Sequence, residues 1–370
     1  MSTKYADRPI PKISLHDFDS RIDTITSEIC TAAENVGFFS VINHGIPPAE
    51  IRAMFGTAQS FFALPDNIKA TVPWNSQNVG WEKNSQIRPS TGAADMKESY
   101  QLQFGENMLT GGKQSRPAGK DGENKQTTES SDQSLWMNDH QLPGFRDDCL
   151  RFMHRVQDVS NQLMVCLARG LGFADDYFLK THDPTDPTCQ NVMRLLHYYA
   201  TPDEPETDSN SSTTTRKLHH RAGAHADWGL VTLLFQQQDQ PGLEICPGRE
   251  AVTEFALGDT WTRVNVYSHT DNDVDNADDT KHESAIICNI GDMLMSWSDD
   301  RFQSTFHRVK APCEEDDYRG DRYSIAFFNQ PCKDAVIQGP RKKYPAITGR
   351  EFIANAMKNN FTAKAKVAAQ

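Results

Sequence analysis

Apolar positions recur at two different spacings along this chain, and the change of spacing divides it near residue 190. Before that point, apolar residues three and four apart predict helices over 20–35 and 47–65, with short strands at 11–15 and 37–45. The longest helical pattern begins at LPGFR and ends at two glycines, 170 and 172. After residue 190, short apolar runs alternate with turns, which is typical of an antiparallel β architecture.

Six apolar runs are the strand candidates of the second half: VMRLLHYYA, GLVTLLFQ, GLEIC, FALGDTWTRVNVY, SAIICNIGDMLMSW and YSIAFFNQP. A last helix is expected over REFIANAMKNNF. Polar stretches without periodicity predict loops at 105–134, 202–217 and 269–283. We therefore expect a helical and strand-forming support region at 1–189, a β core at 190–340, and a C-terminal helix at 341–370 that packs on the same domain.

Composition narrows the partners of this chain. The chain has 38 Lys and Arg and 50 Asp and Glu, which gives a net charge of −12. This negative charge disfavours non-specific nucleic-acid binding. Eight cysteines are dispersed without a C-x-x-C pair, which disfavours a zinc ribbon and a disulfide framework. No apolar run approaches the ~18 residues of a membrane span, and the start lacks an apolar leader segment. We expect a soluble cytoplasmic protein, a monomer or weak homodimer, with no nucleic-acid or membrane partner.

Two H-x-D motifs are candidates for metal binding: His225-x-Asp227 and His269-x-Asp271. Residues two apart on a strand project to the same side, so this motif supplies two ligands at once. One such match is weak evidence, because about one is expected by chance. His225 begins the apolar strand of GAHADWGLVTLLFQ, whereas His269 lies in an acidic loop. Strand context therefore favours His225 and Asp227.

A third ligand would complete a site for iron(II). Iron that binds both oxygen and an organic substrate requires a few strong ligands and several open positions, which two imidazoles and one carboxylate provide. His307, in STFHRV, is a candidate for the third position. His219 and His220 compete with it, although they follow a polar insert and lack a strand context.

The chain resembles the iron(II)/2-oxoglutarate dioxygenases of the isopenicillin-N-synthase-like superfamily over nearly its whole length. The blocks that resemble family blocks, in the family's order, are GFFSVINHGI, SFFALP, LPGFR, MRLLHYY, GAHADWGLVTLLFQ, GLEI, NIGDMLMSW, STFHRV and RYSIAFFNQP. The resemblance implies a mainly β fold with α, in which a double-stranded β-helix (jelly roll) core has a helical N-terminal support and a C-terminal helix. It also implies that His225, Asp227 and His307 bind the iron. Ala226 stands where the family usually has Thr, and the gaps around His307 are longer than usual.

A co-substrate anchor is expected on the strand RYSIAFF. Arg322 and Ser324 face the same way there and can offer a guanidinium fork and a hydroxyl to one carboxylate. The alternative is a surface ion pair between Arg322 and the acidic run 314–317, for which Arg319 is better placed. By resemblance, Arg322, Ser324 and Tyr198 bind the distal carboxylate of 2-oxoglutarate.

The resemblance implies an enzyme that hydroxylates, desaturates or cyclises a small organic metabolite. It would use Fe(II), 2-oxoglutarate and O2, with ascorbate as reductant, and release succinate and CO2. On the substrate side, Phe328 resembles a position where relatives pack an aromatic ring. Arg194 resembles a basic position that could pair with an anionic group. The segment 81–100 resembles the variable rim of the substrate pocket.

Three other functions compete with this one. An oxidase of the same fold would use O2 without 2-oxoglutarate, and Arg322 and Ser324 would then bind the substrate's own carboxylate. A jelly-roll binding protein would be non-catalytic, which retention of all three ligands disfavours. A zinc hydrolase is disfavoured because no carboxylate lies near the triad as a general base.

Overall fold

The structure is a computed structural model of the 370-residue chain. It describes residues 4–75, 78–86, 94–105, 135–201, 220–237, 239–246, 260–264 and 285–368. The loops expected at 202–217 and 269–283, and that at 105–134 beyond its first residue, lie outside the described residues.

The described residues form fifteen strands and seven helices. The strands are β1 (Lys4–Tyr5), β2 (Lys12–Ser14), β3 (Phe38–Ile42), β4 (Gly80–Lys83), β5 (Lys97–Gln103), β6 (Val192–Tyr198), β7 (Ala222–His225), β8 (Val231–Gln236), β9 (Leu243–Cys246), β10 (Thr260–Arg263), β11 (Ile286–Ile290), β12 (Phe306–Val309), β13 (Arg322–Phe328), β14 (Val336–Ile337) and β15 (Ile347–Thr348). The helices are α1 (Phe18–Asn35), α2 (Pro48–Phe62), α3 (Asp66–Lys69), α4 (Phe145–Leu171), α5 (Tyr177–Thr181), α6 (Asp292–Trp297) and α7 (Gly349–Ala368).

Two sheets and a small hairpin organise these strands. The large sheet has the order β2-β3-β11-β8-β13-β6-β5-β4, the small sheet has the order β1-β10-β9-β12-β7, and β14 pairs with β15. Neighbours are antiparallel except β2 with β3 and β1 with β10. Strands from the first 105 residues therefore occupy both edges of the large sheet.

The large sheet has an apolar core on each face. One face packs against the helices through a continuous cluster that includes Ile29 of α1, Phe61 of α2 and Leu163 of α4. The other face meets the small sheet through two smaller clusters, in which Phe38 packs with Ile245 and Leu196 packs with Ala222. The space between the sheets is therefore lined by side chains from β6, β8 and β13.

A buried ion pair joins α3 to the helix-facing side of β5. The Lys69 Nζ atom lies 2.7 Å from Glu98 Oε2, and both side chains are almost fully buried. Trp81 Nε1 donates to the same carboxylate at 2.8 Å, and His197 Nδ1 lies 2.9 Å from Oε1. Because buried charges are costly without partners, Glu98 depends on these neighbours.

The helices expected from the sequence occur at α1, α2, α4 and α7, and the strand expectations at β2, β3, β6, β8, β9 and β13 are met. The strand expected over SAIICNIGDMLMSW was wrong in its second half, because β11 ends at Ile290 and α6 follows. Gly291 explains the change of direction. A Cβ atom there would lie 2.2 Å from the Gly229 carbonyl oxygen, so two backbone segments meet where the strand ends.

None of the eight cysteines forms a disulfide, and only Cys313 is exposed. Within the described ranges, no helix combines the length and apolarity that crossing a membrane requires.

Candidate functional site

Three of the sequence-predicted residues meet between the sheets. His225 is the last residue of β7, Asp227 follows it by two, and His307 of β12 pairs with His225 in the ladder. Asp227 Oδ1 lies 4.0 Å from His225 Nε2 and 3.7 Å from His307 Nε2. One ligand atom from each residue lies within 4.8 Å of the others, which is close enough to share one metal ion.

Hydrogen bonds orient each of these ligands. His225 Nδ1 donates to the Gly223 carbonyl at 2.7 Å, and His307 Nδ1 donates to the Thr305 carbonyl at 3.3 Å. Since a carbonyl can only accept, the Nε2 atoms carry the lone pairs that a metal requires. Two imidazoles and one carboxylate on one side of an ion leave positions for other ligands, as in non-haem iron(II) sites.

The Asp227 carboxylate is fixed through its outer oxygen. Oδ2 accepts hydrogen bonds from Thr232 Oγ1 at 2.6 Å and from Asn289 Nδ2 at 2.7 Å. The Asp227 carbonyl accepts from Asp292 N at 2.8 Å, at the start of α6. Oδ1 is the carboxylate atom that faces the two imidazoles, so Asp227 offers one oxygen in a defined direction.

The competing metal candidates do not join this site. His220 accepts a hydrogen bond from the Ala311 amide at 3.3 Å, and burial, with the charge of Arg308 next, lowers its pKa to about 4. His269, Asp271 and His219 lie outside the described residues. Among the residues that the structure does describe, only His225, Asp227 and His307 form a group that could bind a metal ion.

Arg322 and Ser324 lie on the metal-facing side of β13, and both are almost fully buried. Arg322 Nε donates to the Gln240 carbonyl at 3.0 Å, and Nη2 donates to Gln236 Oε1 at 3.1 Å. Arg322 Nη1 and Ser324 Oγ, in contrast, are buried without a hydrogen-bond partner. Buried donors of this kind are costly unless a ligand supplies acceptors, and a carboxylate fits a guanidinium and a hydroxyl together.

Tyr198 stands beside this pair, opposite Arg322 in the ladder between β6 and β13. The Arg322 guanidinium carbon lies 5.1 Å from the centre of the Tyr198 ring. Burial lowers the pKa of Arg322, while Tyr198 opposes that shift. The three residues expected to bind a carboxylate are therefore neighbours on one face of the large sheet.

The two substrate-side candidates also meet. The Arg194 guanidinium carbon lies 5.5 Å from the centre of the Phe328 ring. Phe328 pairs with Thr232, whose hydroxyl contacts Asp227. Directly paired residues point to the same face of a sheet. Phe328 therefore faces the metal site, and Arg194 lies on the other side of the Phe328 ring from that site.

Sequence reasoning missed the residues that orient the ligands. Thr232 and Asn289 are single polar residues in the otherwise apolar strands VTLLF and IICNI, a signal that could have found them. It also missed the polar face of β5, of which Lys97 and Ser99 lie within the segment interpreted as a pocket rim and Gln101 follows it.

Two family models match the chain. Residues 10–127 match the N-terminal region of a "non-haem dioxygenase in morphine synthesis", and residues 189–331 match the "2OG-Fe(II) oxygenase superfamily". Together they span most of the chain in the order expected for such proteins.

Proteins with similar sequences match this chain over most of its length and over most of their own length. A proline hydroxylase of Petromyces alliaceus is 29% identical over 342 residues, with 88% of this chain and 86% of that protein covered. A 2-oxoglutarate-dependent dioxygenase of Glarea lozoyensis is 27% identical, with 85% of this chain and 84% of that protein covered. A Neurospora crassa protein crystallised with alpha-KG (2-oxoglutarate) and 5-formyluracil has a TM-score of 0.68 and 25% identity. The match covers 96% of this chain and 99% of that protein.

Proposed function

Because this chain belongs to the 2OG-Fe(II) oxygenase superfamily, we propose that His225, Asp227 and His307 bind its Fe(II). We also propose that Arg322, Ser324 and Tyr198 bind its 2-oxoglutarate. The observation that carries both assignments is the juxtaposition of a three-ligand cluster with two unpartnered buried donors, Arg322 Nη1 and Ser324 Oγ.

The protein is an Fe(II)- and 2-oxoglutarate-dependent dioxygenase that oxidises a small organic metabolite. Bound Fe(II) supplies the redox chemistry that couples decarboxylation of 2-oxoglutarate to oxidation of a substrate C–H bond. For a hydroxylation, one atom of O2 enters the substrate and the other enters succinate, with release of CO2. Desaturation and ring closure are other outcomes of the same chemistry, and ascorbate would serve as the reductant.

The protein's own contribution is placement. His225 and His307 present Nε2 because their Nδ1 protons are committed to carbonyl oxygens. Asp227 presents Oδ1 because Thr232 and Asn289 occupy Oδ2. Ligands fixed in this way need no reorganisation when metal and substrates bind, which favours a rapid reaction.

Arg322 and Ser324 orient the co-substrate. A carboxylate between them would satisfy Arg322 Nη1 and Ser324 Oγ, and Gln236 and Gln240 fix the guanidinium plane for that contact. Apolar side chains, among them Leu196 and Ala326, adjoin the anchor and exclude water. Electrostatic attraction is stronger in such a site than in water.

For the fold, we propose that the two facing sheets constitute the double-stranded β-helix core, with the region 1–189 as support and 341–370 packing on the same domain. The contact between the sheets through Leu196 and Ala222 supports this assignment. Phe39 and Val41 of β3, within the support region, belong to the main core.

We also propose a cytoplasmic monomer or weak homodimer that binds neither nucleic acid nor membrane. Eight free thiols are typical of a reducing compartment. Among the described residues, Met96 and Val336 are the only exposed large apolar side chains, which leaves little apolar area for an obligate dimer. Size-exclusion chromatography over a range of concentrations tests the oligomeric state.

Oxygen uptake and succinate formation test the assignment. With Fe(II) and ascorbate, we expect O2 consumption that depends on added 2-oxoglutarate and yields matching amounts of succinate and CO2. Asp227→Ala should abolish iron binding and succinate formation together. Uptake that proceeds without 2-oxoglutarate would instead favour the oxidase, and function that survives Asp227→Ala would favour a binding protein.

A further inference from the structure

The metal-facing side of the β4–β5 edge is polar and largely buried. We call Glu82 of β4, Lys97, Ser99 and Gln101 of β5, and Arg194 of β6 the polar wall. Lys97, Ser99 and Gln101 are each less than 10% exposed, and Glu82 and Arg194 are partly buried. A buried polar surface of this extent is unusual in a core, and in ligand sites convergent polar groups fix the orientation of the bound molecule.

The sheet register places the wall on the same face as the co-substrate anchor. Lys97 pairs with Tyr198, and Tyr198 pairs with Arg322. Ser99 lies two residues after Lys97, and Glu82 pairs with Ser99. Because paired residues share a face and side chains alternate along a strand, the whole wall faces the space between the sheets.

Gln101 fixes the orientation of Arg194. Gln101 pairs with Arg194 in the ladder, and Arg194 Nε donates to Gln101 Oε1 at 2.5 Å. The guanidinium lies over the Phe328 ring. A guanidinium oriented by an amide and a ring is suited to a carboxylate, which it can bind with two hydrogen bonds.

The wall contains two cations and one carboxylate, and Lys97 has its own partner. Lys97 Nζ lies 3.4 Å from Asp95, whose other oxygen accepts from the Gly223 amide at 3.0 Å. Arg194 and Glu82 are opposite charges, one beside Gln101 and the other beside Ser99. From strand spacing, their Cα atoms are about 12 Å apart.

Glu82 is ionised in this setting. Burial raises the pKa of the Glu82 carboxyl, but the charges of Arg194 and Lys97 and hydrogen bonds from Ser85 and Ser99 outweigh burial, so the pKa lies below its ordinary value. Ser99 Oγ donates to Glu82 Oε1 at 3.0 Å. The wall therefore presents a fixed negative charge as well as a fixed positive one.

We propose that the polar wall recognises a small zwitterion of the amino-acid type, with its carboxylate at Arg194 and its ammonium group at Glu82. This inference rests on the proposed function and names its substrate class. Phe328 lies between Arg194 and the Thr232–Asp227 contact. A molecule held by both charges would therefore extend its side chain across Phe328 toward the metal, and oxidation would occur on a side-chain carbon.

The alternatives fit the wall less well. An apolar substrate would cover several polar groups without replacing their contacts with water, which costs free energy. A substrate with one charge would contact either Arg194 or Glu82 with an opposite charge and would desolvate the other. A zwitterion satisfies both and adds no net charge to the site.

Ligand binding to the Mn(II)- and 2-oxoglutarate-loaded protein tests this proposal by calorimetry. The probes are the standard L-amino acids, each with its N-acetyl and C-terminal amide derivatives. We expect at least one amino acid to bind with a Kd below about 1 mM, and both derivatives to bind roughly tenfold or more weakly. Failure of every amino acid to bind, or equal binding of the derivatives, overturns the proposal.

Two variants assign the charges. Arg194→Gln should weaken the amino acid and its N-acetyl form by roughly tenfold or more and leave the amide form unaffected. Glu82→Gln should weaken the amino acid and its amide and leave the N-acetyl form unaffected. Arg194→Lys and Glu82→Asp, which keep the charges, should recover part of the affinity. Equal effects of a variant on all three ligands overturn the proposal.

The controls separate this proposal from the assignment of the enzyme. Arg350→Gln changes an arginine that is exposed and pairs only loosely with Asp334 at 3.4 Å, so it should alter no ligand's affinity. Thermal unfolding and 2-oxoglutarate affinity check that each variant is folded. If wild-type protein forms no succinate, the proposed function fails, whatever the amino-acid titrations give. If it forms succinate but binds no zwitterion, only the substrate class fails.

Discussion

Replacing His182 with Phe should make the fold less sensitive to acid. His182 follows α5 and is fully buried, with its ring 6.2 Å from that of Trp297 in a stacked arrangement. Its Nδ1 lies 2.9 Å from the Phe178 carbonyl, and its Nε2 is buried without a partner. Burial lowers the pKa of His182 from 6.5 to about 4, although the Phe178 carbonyl opposes that shift.

The sign and size of the effect follow from proton binding. The unfolded chain takes up a proton at residue 182 below its ordinary pKa of 6.5, whereas the folded protein does so only near 4. The stability that comes from the neutral ring is therefore present above pH 6.5 and is lost as the pH falls toward 4. At about pH 4.5 the loss is about 2.5 kcal/mol relative to pH 7, from about 1.4 kcal/mol per pKa unit.

Urea unfolding at about pH 7 and about pH 4.5 measures this loss. His182→Phe should cost about 1 kcal/mol at neutral pH, because the Phe178 carbonyl loses one hydrogen bond and keeps the one from Thr181 Oγ1. Its further loss at about pH 4.5 should be smaller than that of wild type by about 2.5 kcal/mol. His220, with a pKa also lowered to about 4 chiefly by burial, remains and keeps some acid sensitivity. His140→Gln, at an exposed site, is the control. An unchanged pH dependence in His182→Phe refutes the reasoning.

Three further perturbations address the site and the core. Thr232→Val removes one of the two hydrogen bonds to Asp227 Oδ2, so iron affinity should fall by about 10-fold in a metal-competition titration; unchanged affinity would contradict that role. Arg322→Gln should raise the KM for 2-oxoglutarate by about 30-fold or more in succinate assays, and a normal KM would place the co-substrate elsewhere. Lys69→Met leaves the buried Glu98 carboxylate without its lysine partner, so urea unfolding should show a loss of about 3 kcal/mol, most of which a second change, Glu98→Gln, recovers.

The metal site could be predicted because its geometry is local. Two residues apart on a strand share a face, so His225 and Asp227 followed from spacing once strand context had separated them from the second H-x-D motif. The same period placed Arg322 and Ser324 together. The assignment of His307 depended on the family resemblance, because a single histidine in a strand does not indicate which distant strand it will pair with.

The helix α6 and the polar wall could not be predicted from pattern alone. The run after Asn289 is apolar enough for a strand or a buried helix, and the turn at Gly291 depends on contact with Gly229, 62 residues earlier in the sequence. In β5, Lys97, Ser99 and Gln101 alternate with Glu98, Tyr100 and Leu102, so most of the strand is polar and the sequence favours exposure to solvent. Only the tertiary structure shows that this polar face is buried.

The pairing of β3 with β11 has a consequence for how the chain is made. Phe38 and Asn289 are neighbours in the sheet but lie some 250 residues apart in the sequence. At about 5–20 residues per second, a ribosome needs about 12–50 s to extend the chain from one to the other. During that interval the apolar strand FFSVI has no β11 to pair with and can associate with other chains. We therefore expect nascent chains to depend on chaperones until β11 has emerged, and slow refolding because so many contacts are distant in sequence.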